Sequence, residues 1–150
     1  MTSRAGERGF TLLEMLLTIS IFTVLAGLSL PLYASFTNRN DLDLDTQQLA
    51  GMLRRAETYA RTMNGDSAWG VKVQSGSAVL FKGDTYASRD TTADETDSVP
   101  SGISFGGTVG EVVFAKFTAA PTTSGTITLT DTNSNDVRTI TLNAKGMVDY

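Results

Sequence analysis

The chain has 150 residues and a net charge of −4, with neither cysteine nor histidine. That length is about one domain's worth of chain, and the two absences remove disulfides, thiolate metal sites, the commonest general base and the commonest metal ligand. The acidic balance argues against a nucleic-acid partner, because phosphate binding needs a basic face.

The first element is a short basic leader, residues 1–9, carrying Arg4 and Arg8 ahead of a run that holds no charge from Met15 to Leu30. Phe10 to Leu30 as a helix would be about 31 Å long, which matches the hydrocarbon core of a bilayer. The β-branched stretch "TISIFTV" favours a strand in water, but lipid demands that every backbone group be satisfied internally, and there the helix wins. Arg4 and Arg8 precede the run, whereas Arg39 is the only basic residue after it until Arg54, with Asp41, Asp43 and Asp45 clustered nearby. This asymmetry keeps the N-terminus in the cytoplasm and sends the remainder across. A secretory signal peptide would need a small-x-small cleavage site, and Leu32 spoils the one ahead of Ser35. A plain anchor leaves Glu14 unexplained.

Glu14 has two readings. Thr11 followed three residues later by Glu14 is the capping-box arrangement of a helix start. Alternatively, a carboxylate inside a bilayer costs about 2.5–3.5 kcal/mol on insertion scales and marks a functional position.

Gly9, Phe10, a short Thr-Leu-Leu, Glu14 and an unbroken apolar run together resemble the N-terminal signature of type IV pilins and type II secretion pseudopilins. The resemblance implies that a prepilin peptidase cuts after Gly9 and that Phe10 becomes the N-methylated start. It also implies that Glu14, with Thr11 beside it, serves assembly by pairing with the new amine of a neighbouring subunit. Pro31 sits where the family often has a helix-kinking proline. The implied partners are other pilin or pseudopilin subunits, the peptidase, an assembly platform protein of the inner membrane and, before assembly, membrane lipid.

Residues 32–64 form the second half of the helix. Leu49, Met52, Leu53, Ala56, Tyr59, Ala60 and Met63 recur at three- and four-residue intervals, the mark of an amphipathic helix. Glu57 and Arg61 make a favourable i,i+4 pair, and Asn64-Gly65 is a helix stop. Phe10 to Met63 is therefore expected as one nearly continuous helix, with bends at Gly27, Pro31 or Gly51. The triple Asp41, Asp43, Asp45 does not fit a calcium loop, because Thr46 and Met52 stand where Gly and Glu would be needed; a solvated helix face is the expectation.

From residue 65 to 150 the period switches to two. "WGVKVQ", "SAVLFKG", "GISF", "EVVFAKF", "GTITLT", "VRTITLN" and a short last strand in "AKGMVDY" predict an antiparallel sheet packed on the helix stripe, an α+β architecture. In "EVVFAKF", Val113, Ala115 and Phe117 should share one face. Trp69 is expected in the core. The polar, acidic stretch between Gly83 and Pro100 shows no periodicity and reads as a long loop.

The strand order from Trp69 to Val148 resembles the β-rich domain of H-type minor pseudopilins and FimT-like minor pilins, the GspH-type domain. This implies a minor subunit at or near a filament tip. Some FimT-like proteins bind DNA through basic residues near the C-terminus; here that tail offers only Lys145, with Asp149 close by. No nucleophile–base pair, phosphate loop or zinc motif is readable, so neither an enzyme nor a cofactor is expected. The resulting expectation is a filament building block in the cytoplasmic membrane with its C-terminal domain outside. The competing one is a membrane-anchored β-domain binding module outside any filament.

Overall fold

A computed structural model describes residues 9–150, without the side chains of residues 28–39. The expected leader therefore lies outside the described residues except for Gly9, as does the side chain of Pro31 and with it the expected kink. The chain divides into two compact units, Met1–Thr37 and Asn38–Tyr150. One helix, α1 (Leu12–Arg61), is assigned across that division.

The C-terminal unit contains eight strands: β1 (Trp69–Gln74), β2 (Ser77–Lys82), β3 (Asp90–Ser98), β4 (Ile103–Gly107), β5 (Glu111–Phe114), β6 (Gly125–Asp131), β7 (Val137–Leu142) and β8 (Val148–Asp149). They form two antiparallel sheets, ordered β3-β2-β1-β5 and β4-β6-β7-β8, where a single sheet was expected. The two-residue turn Ser75-Gly76 closes the β1–β2 hairpin, with Gly76 at φ 77°. That left-handed backbone suits the twist of a tight hairpin and favours glycine.

Alternation along the strands builds the core. Trp69, Val71, Ala78, Leu80, Val112 and Phe114 of the first sheet share one buried cluster with Ile127, Leu129, Ile140 and Leu142 of the second. Leu49, Met52, Leu53, Ala56 and Ala60 of α1 complete it, so the helical stripe is buried as its spacing predicts. Met63 is exposed, because the helix ends at Arg61 and Met63 turns left-handed at φ 53°. Trp69 is buried as expected, and its indole N–H donates to the Asn64 carbonyl at 2.8 Å. On the far face of the first sheet, Phe81 and Val113 pack with Ala68 against Tyr86. A Cβ on Gly70 would stand 2.6 Å from the Phe81 ring and from the Val112 carbonyl oxygen, so the missing side chain is what admits that ring.

Three further expectations are corrected. The stretch between Gly83 and Pro100 is largely the strand β3, paired with β2 from Ser77↔Ser98 to Lys82↔Asp90 with one irregularity. Its side chains carry no apolar alternation because an edge strand is held by its backbone ladder and tolerates charge on its exposed faces. Ion pairs Arg89–Asp94 (2.8 Å) and Arg55–Glu95 (2.7 Å) add side-chain ties. Second, β5 stops at Phe114: Ala115 N–H donates to Ala120 O, and Phe117, at φ 70°, donates its N–H to Ala60 O at 2.9 Å. The backbone thus serves a terminal helix carbonyl while the Phe117 ring is left exposed. Third, the aspartate triplet is not a uniformly solvated face. Asp43 pairs with Arg138, and Asp45 is buried.

Candidate functional site

The residues singled out at the N-terminus lie in the first unit. Thr11 stands just ahead of α1, and its hydroxyl accepts the Glu14 backbone N–H at 3.2 Å. Its carbonyl accepts from the N–H groups of Glu14 and Met15 at 3.1 and 3.2 Å. Thr11 is therefore the N-cap, satisfying donors that a helix start otherwise leaves open. The reciprocal arm of the capping box is missing. Among the described residues the Glu14 carboxylate has neither a hydrogen bond nor an ion pair, and it is exposed.

Around Glu14 the helix surface is apolar and uncovered. Phe10 is 77% exposed and Leu12 81%, and the large side chains from Leu13 to Leu25 are likewise open. The polar side chains within this run are turned back on their own helix: Thr18 donates to Met15 O, Ser20 to Leu17 O and Thr23 to Ile19 O, each within 2.9 Å. That leaves the surface without unsatisfied hydroxyls, as an apolar or helix-packed environment requires. Among the described residues no helix is long and apolar enough to cross a membrane, the described side chains of the run ending at Gly27. Gly9 is open, with nothing within 4 Å of where a Cβ would be.

The residues expected to form the site, Gly9, Phe10, Thr11 and Glu14, thus lie together at one exposed helix start. Among the described residues no side chain pairs with the Glu14 carboxylate, and it is exposed. The arrangement pairs Glu14 with no base among the described residues; it presents an open apolar helix surface and one outward carboxylate.

A second feature, in the C-terminal unit, escaped the sequence reading. Asp45 is 7% exposed, and its Oδ2 has no partner among the described residues. Burial, then the charges of Asp97 and Asp41, push its carboxyl up to about 6. The signal was present: Asp45 lies three residues after Leu42 and four before Leu49, on the same stripe as the core residues. By contrast, the buried Asp131 is fully engaged, accepting from Asn133 N–H and the Ser134 hydroxyl, and those hydrogen bonds hold its carboxyl below the usual range.

The family model "Prokaryotic N-terminal methylation motif" matches residues 4–30. No curated protein matches the sequence. Among solved structures, the minor pseudopilin EpsH from the Type 2 Secretion System of Vibrio cholerae aligns over 73% of this chain and 94% of its own, with a TM-score of 0.56 and 11% identity. At that identity the likeness establishes the fold: an N-terminal helix followed by antiparallel sheets. The chain thus carries a prokaryotic N-terminal methylation motif over residues 4–30 and shares its fold with the minor pseudopilin EpsH.

Proposed function

We propose that the chain is a minor pilin or pseudopilin, a structural subunit of a type IV pilus or type II secretion pseudopilus. The observation that carries this reading is Glu14, an exposed carboxylate without a partner among the described residues, on the first turn of an otherwise apolar helix surface. A prepilin peptidase removes residues 1–9 by cutting between Gly9 and Phe10, and Phe10 is then N-methylated. Until assembly, the apolar helix of residues 10–31 holds the subunit in the cytoplasmic membrane, in contact with lipid, with the β domain of residues 65–150 outside. The platform protein of the inner membrane passes it into the filament, where Leu12, Leu16 and Ile19 exchange lipid for neighbouring helices.

The amine created on Phe10 then neutralises Glu14 of an adjacent subunit. An ion pair in a low-dielectric bundle is far stronger than in water, and leaving either charge alone is strongly unfavourable, so one axial stagger between helices is selected. The role is structural and requires no cofactor, and the subunit stands at or near the filament tip.

Mass spectrometry of the protein from its native host tests the reading. A mature chain beginning at N-methylated Phe10 is expected. A working protein that retains residues 1–9 would overturn it, and an abundance in purified filaments equal to the main subunit would overturn the tip position.

A further inference from the structure

We propose that Asn64-Gly65 is a site of spontaneous deamidation, at which the chain modifies itself and alters the main-chain carbonyl that anchors Trp69. The pair belongs to the C-terminal unit, and the proposal does not rest on entry into a filament. It stands just after α1 has ended at Arg61, in a single 3₁₀ turn, Asn64–Asp66, and both residues are exposed to water. Gly65 makes the reversal, at φ 63° and ψ 20°. That backbone favours glycine, and no β-carbon shields the Gly65 nitrogen from the side chain before it.

The sequence holds six asparagines, and the structure separates this one from the others whose side chains it describes. Asn40 lies within α1, whose ladder uses the N–H of the residue that follows. The Asn143 carboxamide oxygen is held by the N–H groups of Lys145 and Met147 at 2.9 and 3.0 Å. After Asn135, the Asp136 N–H donates to the Ser134 hydroxyl at 3.2 Å; after Asn133, the Ser134 N–H serves the Asp131 carboxylate. Asn64 has neither lock. Among the described residues its carboxamide has no hydrogen bond, and no acceptor takes the Gly65 N–H. Lys82 lies over the site, since a Cβ on Gly65 would stand 2.8 Å from both its Cε and its Nζ. That ammonium favours the negative charge that develops on the attacked carboxamide oxygen.

The chemistry is a ring closure followed by hydrolysis. The Gly65 nitrogen gives its proton to solvent base and bonds to Asn64 Cγ. The bond from Cγ to Nδ2 breaks, and Nδ2 takes up a proton and leaves as ammonia. Water then opens the succinimide at either carbonyl, giving aspartate or isoaspartate with no change of oxidation state. Opening at the former main-chain carbonyl reaches the core. That oxygen accepts the Trp69 indole N–H at 2.8 Å. In isoaspartate its carbon becomes a free carboxylate, and the chain runs on through Cγ, one methylene longer. Trp69 is the one tryptophan in the sequence, so its emission reports the event.

The test holds the full chain in detergent micelles at pH 8 and 37 °C and maps its tryptic peptides by mass spectrometry over time. The peptide of residues 62–72 contains Asn64 and no other side-chain amide. It should gain about one dalton at least about tenfold faster than any other asparagine peptide, with isoaspartate as the larger share. The isoaspartyl fraction should show a shifted Trp69 emission, whereas Asn64→Asp, the other product, should keep the native one. Asn64→Gln would need a six-membered ring and should hold the peptide unchanged over the same time. Both substitutions fall on an exposed side chain without hydrogen bonds, so both chains should fold. A smaller margin over the other asparagines overturns the proposal, as does a mass gain that persists at the same rate in Asn64→Gln. Native emission from the isoaspartyl fraction overturns the link to Trp69.

Discussion

Arg138 on β7 and Asp43 on α1 meet through Nε and Oδ1 at 2.6 Å, although 95 residues separate them in sequence. The pair ties the second sheet to the helix, yet both side chains are close to half exposed. Solvent screening therefore limits its contribution. A double-mutant cycle of Arg138→Ala and Asp43→Asn should return a coupling below about 1 kcal/mol, fading in molar salt. A coupling of several kcal/mol would show that the pair is desolvated in solution.

Asp45 gives the C-terminal unit an unusual pH response. Burial, with the charges of Asp97 on β3 and Asp41 on its own helix, raises its folded-state value to about 6 from an ordinary 3.8. A carboxyl raised on folding stabilises the protein fully below its unfolded value, and that stability is lost as pH rises through about 6. Thermal melts should therefore show a higher Tm near pH 5 than near pH 7.5, and Asp45→Asn should flatten that difference by gaining stability at the upper end. Asp66, Asp90 and Asp131 are shifted the other way, by Lys116, Thr92 and Asn133 respectively, so their stabilisation is lost only on further acidification, below 3.8. An Asp45→Asn profile that still falls from pH 5 to 7.5 as steeply as the unaltered chain would assign the response elsewhere.

Gly70 is fixed by packing. Its φ lies outside the left-handed region, and the constraint is the Phe81 ring and the Val112 carbonyl, each 2.6 Å from a would-be Cβ. Gly70→Ala should cost about 1–3 kcal/mol in denaturant unfolding, as overpacked sites do. Pairing it with Phe81→Leu should recover part of the loss; an unchanged midpoint for Gly70→Ala would mean that the ring moves aside freely.

Thr11 and Glu14 separate capping from assembly. Thr11→Ala removes the hydroxyl that accepts the Glu14 N–H and should weaken the first helical turn by about 1 kcal/mol, while filament incorporation persists. Glu14→Ala leaves that cap in place, since the bond uses the Glu14 backbone. It should spare cleavage after Gly9 and abolish incorporation, read by comparing processed protein in membranes with that in sheared filaments. If both variants incorporate equally, the carboxylate has no assembly role.

The elements that could be read from residues alone were those whose own periodicity reports their environment. The stripe from Leu49 to Ala60, the alternation in "WGVKVQ" and "GTITLT", and the turn at Ser75-Gly76 each specify a face or a reversal locally. The Thr11 cap and the exposed helix start around Glu14 were legible for the same reason: the residues adjoin one another in the chain. β3 was not legible, because its pairing with β2 is a backbone property and its acidic side chains carry no trace of it. Nor was the early end of β5, where Phe117 gives up its place in the strand so that its N–H can reach Ala60 O.

The sequence by itself determined where the helix and most strands lie, which residues face the core, and that an acid interrupts an apolar helix start. Only the tertiary structure decided that the strands divide into two sheets and that Asp43, two residues before Asp45, finds Arg138 while the Asp45 Oδ2 has no hydrogen-bond partner among the described residues. The physical reason is that periodicity records burial along one element, whereas strand pairing and charge pairing are settled between elements far apart in the chain. A carboxylate's solvation depends on what folds over it, and that information is spread across residues 41 to 138.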